Sequence, residues 1–152
     1  MERISAIIIA TLCMICLTSP SFALPPKEPT EGYWLTENER SVIKIYQCQD
    51  GLCGNVYWII DGGMQTDSKN PDVSKRDQAI CGLRILWGFD SDGHGKWSGG
   101  NIYKADDGDL YSANLELLED GTLKVRGYLG VSWLGKTQIW TRANSKDYKK
   151  CS

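Results

Sequence analysis

Short segments of alternating apolar and polar residues, separated by turn-forming residues, cover most of the chain. Period-two segments at intervals of about 8–12 residues are typical of antiparallel sandwiches and barrels. Residues 70–80 are predicted to hold one turn of helix, and no other segment has helical periodicity. We therefore predict an all-β fold of eight strands, either a sandwich or a barrel. The strands are Gly32–Leu35, Val42–Gln47, Leu52–Ile60, Leu83–Phe89, Lys96–Tyr103, Leu110–Leu118, Thr122–Leu129 and Trp133–Thr141.

The register of the first long hairpin is predicted from its turn. Asp50-Gly51 is a favoured pair for a two-residue type I′ turn, and it sets Cys48 opposite Cys53. Further along the same ladder, Ile43 lies opposite Trp58 on an apolar face.

A three-residue loop with Gly121 in the left-handed conformation is predicted to join the strands Leu110–Leu118 and Thr122–Leu129, with Leu117 opposite Leu123. It keeps the apolar set on one face, which a slip by one residue would turn outward. The same face has two small opposed residues, Ala113 and Gly127, with Tyr111 beyond them. Small residues leave space inside a barrel, which either a large side chain, such as a tryptophan, or a ligand must fill.

The first 23 residues predict a secretory signal peptide. Glu2 and Arg3 precede an apolar run at 4–17, and small residues, Ser21 and Ala23, stand at the −3 and −1 positions of a cleavage site. The run is shorter than the roughly 20 residues of a membrane-spanning helix. We expect residues 24–31 to form a Pro-rich lead-in, and residues 32–152 to form one exported, periplasmic domain without a membrane span.

The formal net charge of −2 argues against nucleic acid as a partner, since nucleic-acid binding requires a basic surface.

Four cysteines follow the signal segment, at positions 48, 53, 81 and 151. An even number in an exported chain favours disulfides, and four cysteines allow three pairings. The predicted hairpin brings Cys48 to Cys53, which leaves Cys81 to pair with Cys151. Zinc is the alternative, but structural zinc sites use closer cysteine pairs and usually histidine. We therefore expect no metal site and no cofactor.

Two loops could carry chemistry. Asp90–Gly95 has the D-x-D-x-x-G spacing of a calcium loop but lacks the later ligands of an EF-hand, so a hairpin loop is favoured. It contains the one histidine of the chain, His94, between two glycines. Nucleophilic catalysis requires a histidine held by neighbouring groups, and no motif singles out a pair of carboxylates. The sequence identifies no catalytic residues and favours binding over catalysis.

The segment from Asp61 to Ile80 is long for a connection without regular structure, which is typical of lids and binding loops. It contains Asn70 and Arg76, which we predict to be ligand-binding residues. The alternative is that Asn70 and Asp72 bond only to the backbone of their own loop.

The chain resembles a family of exported bacterial proteins known as domain of unknown function 2147, and the resemblance spans essentially the whole chain after the signal segment. The motifs that carry it occur in order along the sequence. They are Gly32-Tyr33-Trp34, Tyr46-x-Cys48, Leu52-Cys53-Gly54, Asn70-Pro71-Asp72, Arg76, Ile80-Cys81-Gly82-Leu83, Trp97-x-Gly99-Gly100-x-Ile102-Tyr103, Asp107-Gly108-x-x-Tyr111, Leu123-Lys124-Val125-Arg126-Gly127-Tyr128 and Thr137-x-x-Trp140-Thr141-Arg142. Two positions depart from the pattern: Ala105 replaces an expected proline, and Asp109 replaces a basic residue.

The resemblance implies an all-β fold, an eight-stranded antiparallel up-and-down barrel similar to the lipocalins and other calycins, with little or no helix. It implies no activity. In such barrels an arginine of the last strand stacks on the tryptophan of the first. Trp34 and Arg142 are therefore expected to close one end of the barrel as structural residues, and any ligand is expected at the other end.

Three functional hypotheses follow. The first is binding of a small, partly apolar ligand near Trp58, Tyr111, Ala113 and Gly127. The second is a solid-core module that contacts an envelope protein through its exterior and the 61–80 loop. The third is a hydrolytic enzyme that uses His94 or loop carboxylates.

Overall fold

The computed structural model describes residues 29–151, which form a closed barrel of eight antiparallel strands joined in sequence order. This confirms the predicted fold class. The predicted signal peptide at residues 1–23 and the first part of the lead-in lie outside the described residues. The strands are β1 Gly32–Leu35, β2 Ser41–Cys48, β3 Gly51–Ile59, β4 Arg84–Gly93, β5 Lys96–Lys104, β6 Asp109–Leu117, β7 Leu123–Tyr128 and β8 Lys136–Arg142.

Short 3₁₀ turns, rather than α-helices, occupy the connections of the described chain. They lie at Val73–Lys75, Ser132–Leu134 and Ser145–Asp147. The second of them corrects the predicted start of β8, because Trp133 belongs to the exposed β7–β8 connection. Among residues 29–151, no helix is both long and apolar enough to cross a membrane.

The β6–β7 hairpin has the predicted register. Leu117 pairs with Leu123 and Ala113 pairs with Gly127, while Gly121 has a φ of 81°. The three-residue loop is therefore confirmed.

The predicted register of the β2–β3 hairpin is wrong by two residues, since Cys48 pairs with Gly51 instead of Cys53. A type I′ turn at Asp50-Gly51 would require a positive φ at Asp50, and Gly51 alone of the two has one, at 89°. Because a shift of two residues preserves which face each side chain occupies, the predicted apolar face survives in the first part of the ladder.

A bulge between Val42 and Ile43 then changes the position of Trp58. Trp58 pairs with Val42 instead of Ile43. Residues on one strand alternate between faces, and Ile43 faces the barrel interior, so Trp58 and Val42 lie on the outer side. There Trp58 packs edge-to-face on Tyr148, with 4.9 Å between ring centroids.

Both disulfides form with the predicted pairing. Cys48 and Cys53 are joined across the hairpin although they are diagonal neighbours, with a Cα–Cα distance of 5.9 Å. Cys81 is joined to Cys151 over a sequence separation of 70.

The two ends of the barrel differ. The turns β2–β3, β4–β5 and β6–β7 lie at one end with Trp34 and Arg142, which we call the closed end. The other four connections lie at the opposite, open end. Large side chains fill the closed half of the interior: Trp34, Leu52, Phe89, Trp97, Leu115 and Leu123 are all buried.

The Phe89 ring explains part of the small-residue face predicted from the sequence. Gly100, Ala113 and Gly127 lie directly opposite one another on β5, β6 and β7. A Cβ at Gly100 would come within 2.3 Å of the Phe89 ring, so phenylalanine occupies the space above this glycine. The interior is therefore filled beside Gly100. Gly127, at the other end of this row of three residues, faces the part of the interior that remains open.

Candidate functional site

A cavity of about 450 Å³ occupies the open half of the barrel. Its inner surface is largely apolar and includes five buried core residues, Ile43, Val56, Ile80, Val125 and Trp140. The apolar lining consists of Ile43, Val56, Ile59, Met64, Ile80, Ile85, Ile102, Ala105, Tyr111, Val125, Gly127 and Trp140.

Four residues were predicted from the sequence to lie near such a cavity, and the structure brings two of them together. Tyr111 and Gly127 line the cavity. Ala113 is fully buried next to Gly127 in the ladder and is not part of the lining. Trp58 lies outside the barrel against Tyr148.

Gly127 keeps this part of the interior open. A Cβ at this position would meet Ile102 Cγ2 at 3.4 Å and Tyr111 Cβ at 3.6 Å, which is ordinary van der Waals contact. A larger side chain at Gly127 would therefore extend into the cavity between these neighbours instead of colliding with the backbone.

The mouth of the cavity is polar. Its rim combines hydroxyl, amide, cationic and carboxylate side chains from three different parts of the barrel. These are Thr36, Asn38, Arg40, Ser41, Lys104, Asp106, Lys136 and Gln138.

The 61–80 segment forms one side of the mouth. Gly63, Met64 and Ile80 contribute to the lining, and Ile80 is buried with 7% of its surface exposed. A β-bridge between Thr66 and Ala79 closes the segment on itself. The long connection is therefore a structured wall of the cavity.

A buried carboxylate holds this wall to the barrel. Asp67 is fully buried and accepts three hydrogen bonds from side chains. The Tyr103 hydroxyl donates to Oδ1 at 2.6 Å, while Asn70 Nδ2 and Gln78 Nε2 donate to Oδ2 at 2.6 and 2.9 Å. Burial, and then the hydrogen bond to Asp67, raise the pKa of Tyr103, so its hydroxyl keeps the proton that it donates.

The polar residues predicted to bind ligand in this segment bond within the segment. Asn70 donates to Asp67 and its side-chain oxygen accepts from the backbone of Asp72 at 2.9 Å. Arg76 Nε donates to the carbonyl of Asn70 at 2.9 Å. Neither Asn70 nor Arg76 lines the cavity, so the arrangement fits the alternative in which these residues stabilise their own loop.

Replacing Asp67 with asparagine is expected to lower the free energy of unfolding by about 2–3 kcal/mol, because all three side-chain partners are donors and an amide group turns donors towards at least one of them. Urea unfolding measures the loss, and hydrogen exchange should show faster exchange of the Ile80 amide, which bonds to the Gln65 carbonyl across the segment. Asp61→Asn, at an exposed position of the same segment, is the control and should change neither the free energy of unfolding nor the exchange rate of the Ile80 amide. Unchanged stability and exchange in Asp67→Asn would show that this carboxylate does not hold the segment.

His94 lies far from the cavity, in the exposed β4–β5 turn at the closed end, with a φ of 54°. The surrounding Asp90–Gly95 segment forms this hairpin, and Asp92 accepts a hydrogen bond from Ser98 Oγ at 3.0 Å. Within residues 29–151, no group of three or more His, Cys, Asp or Glu side chains is arranged to hold a metal ion.

The sequence missed the lining residues of β4 and β5, among them Ile85 and Ile102. Both strands contain glycines with positive φ, Gly88 at 74° and Gly99 at 71°, and the ladder between β5 and β6 shifts register beside Gly99. Alternation cannot be followed through such irregularities. An apolar residue in a polar loop, Ile80, was the available signal for the 61–80 wall.

Comparison with known proteins gives a family and a fold. The sequence profile of the family described as "Uncharacterized protein conserved in bacteria (DUF2147)" matches residues 32–142. A solved structure titled "Protein HP1028 from the human pathogen Helicobacter pylori belongs to the lipocalin family" superposes with a TM-score of 0.71 at 20% identity, over 80% of this chain and 91% of that chain. A comparison with curated proteins gave no significant match.

Proposed function

The chain belongs to the DUF2147 family of bacterial proteins and has a lipocalin-like barrel, and from these premises we propose that it is an exported protein that binds a small, partly apolar molecule in the open half of the barrel.

The observation that carries this proposal is the cavity itself. Its volume of about 450 Å³ lies within the roughly 300–1,000 Å³ of small-molecule sites, and its apolar walls with polar groups at the mouth have the usual composition of such sites. The large side chains that make small barrels solid are present, but they are concentrated in the closed half.

The disulfides support a location outside the cytoplasm. Cys48–Cys53 and Cys81–Cys151 are both formed, and disulfides persist in oxidising compartments such as the bacterial periplasm. Together with the signal sequence predicted at residues 1–23, they favour the periplasm.

Replacing Gly127 with valine is expected to weaken ligand binding at least tenfold, or about 1.4 kcal/mol, because the branched side chain would take up cavity volume. Native mass spectrometry of protein purified from its own periplasm, together with titration of a hydrophobic fluorescent dye, measures occupancy and affinity. Ser112→Val is the matched control, since Ser112 is exposed on the adjacent strand β6 and the same side chain there points away from the cavity.

A clean apo mass together with no dye binding by the wild-type protein would overturn the proposal. Equal loss of binding in Gly127→Val and Ser112→Val would place the dye outside the cavity and would also count against it.

A further inference from the structure

We propose that the open end recognises an anionic head group, and that the ligand is a single-chain amphiphile whose head is held by Arg40, Lys136 and Gln138. This inference rests on the proposed function, since it names the chemical class of the ligand for the same cavity.

The three side chains lie on one side of the mouth. Arg40 is in the β1–β2 connection, while Lys136 and Gln138 are on β8. Because β1 pairs with both β2 and β8, these residues share one wall of the barrel, and all three line the cavity.

Hydrogen-bond donors on this wall are left free. Gln138 Oε1 accepts from Trp140 Nε1 at 2.8 Å, which fixes the amide orientation and leaves its NH₂ group without an acceptor within residues 29–151. Over the same part of the chain, neither the Arg40 guanidinium nor the Lys136 ammonium forms an ion pair. The third rim cation, Lys104, is instead paired with Asp107.

The acceptors of this wall are already used. Asn38 Oδ1 accepts from the Thr36 hydroxyl at 2.9 Å, and Thr36 Oγ1 accepts from the Ser41 backbone amide at 3.2 Å. Of the two carboxylates in the same connection, Glu37 accepts from the backbone of Ile139, and neither Glu37 nor Glu39 lines the cavity.

Charge is therefore distributed unevenly around the mouth. The lining carboxylate, Asp106, belongs to the β5–β6 connection, and β5 lies four strands from β1 around the eight-stranded barrel. A ligand whose anionic head lay on the β8–β1–β2 wall would hold that head away from the negatively charged Asp106. Its chain would then extend over the apolar lining, including Ile43 and Val125.

Isothermal titration with matched twelve-carbon probes tests this assignment: dodecanoate, dodecyl phosphate and uncharged dodecanol, each below its aggregation concentration. The wild-type protein should bind at least one of the anionic probes about tenfold more tightly than dodecanol, as charge-assisted hydrogen bonds allow. In an Arg40→Gln/Lys136→Gln variant this preference should fall to about twofold or less, with dodecanol affinity unchanged. Lys44→Gln/Lys146→Gln, which removes two exposed cations outside the rim, should retain the preference.

Each contrary outcome has its own meaning. Binding of all three probes with equal affinity by the wild-type protein would overturn the anionic assignment and leave the proposed function standing. The same conclusion would follow if the preference for anionic probes over dodecanol survived in Arg40→Gln/Lys136→Gln, or if it disappeared in Lys44→Gln/Lys146→Gln. If none of the three probes bound, the assignment would be overturned, while the proposed function would still be decided separately by the apo mass and the dye titration.

Discussion

Replacing Trp34 with alanine is expected to lower the free energy of unfolding by about 3–5 kcal/mol, the usual cost of removing a large buried aromatic side chain. Trp34 is fully buried at the closed end, and its indole Nε1 donates to the Thr30 carbonyl at 2.9 Å. The Arg142 guanidinium stacks on the Trp34 ring, with its central carbon 3.7 Å from the ring centroid. Urea unfolding, followed by circular dichroism, measures the loss.

The size of this effect follows from what the stacked pair holds in place. Arg142 donates to the Glu31 carbonyl at 2.7 Å and to the Pro29 carbonyl at 2.6 Å. Thr30, between them, is fully buried and its hydroxyl accepts from Trp97 Nε1 at 3.1 Å. Removal of Trp34 therefore loosens the segment that covers the closed end as well as leaving a void.

Two comparisons make the Trp34 prediction specific. Trp133→Ala, in which the tryptophan is 75% exposed, should change stability by no more than about 0.5 kcal/mol. At temperatures where Trp34→Ala remains folded, its dye affinity should equal that of the wild type, since Trp34 does not line the cavity. A Trp34→Ala protein as stable as Trp133→Ala, or folded but unable to bind dye, would contradict a structural role for the pair.

The strand pattern was predictable because it depends on local alternation. The β6–β7 register followed from apolar residues at every second position and from one glycine, Gly121. The β2–β3 register did not, because the same Asp-Gly pair also suits a turn at Gln49-Asp50 that is followed by Gly51 with a positive φ, and this is the turn that forms. Gly51 packs so closely on β4 that a Cβ there would lie 2.0 Å from the Phe89 carbonyl oxygen.

The cavity was predictable only in part, because contacts between separate strands decide which parts of the interior are filled, and such contacts leave no local signal in the sequence. Two small opposed residues, Ala113 and Gly127, signalled space inside the barrel, and the cavity does lie beside Gly127. The sequence could not show that Phe89 fills the space above Gly100, since that contact joins separate strands. Arg40 and Lys136 gave no signal, because charged residues in turns and at strand ends are ordinarily solvated.

Removal of the Cys81–Cys151 disulfide is expected to lower the free energy of unfolding by about 4 kcal/mol, because a cross-link restricts the conformational entropy of the unfolded chain. The bond closes a loop over a sequence separation of 70. It also fastens the C-terminal segment to the β3–β4 connection, next to the point where the Cys151 amide donates to the Tyr57 carbonyl of β3 at 2.9 Å. Urea unfolding of Cys81→Ala/Cys151→Ala measures the loss.

The Cys48–Cys53 bond provides the matched control, because its sequence separation is 5 and the same entropic effect amounts to about 2 kcal/mol for so small a loop. Loss of the long cross-link should also raise the urea m-value, since the unfolded chain can expand, whereas loss of the short one should leave it nearly unchanged. If both double variants lost equal stability and kept the wild-type m-value, loop closure would not be the source of the effect. The packing of Tyr148 on Trp58 would then suffice to hold the C-terminal segment without the covalent bond.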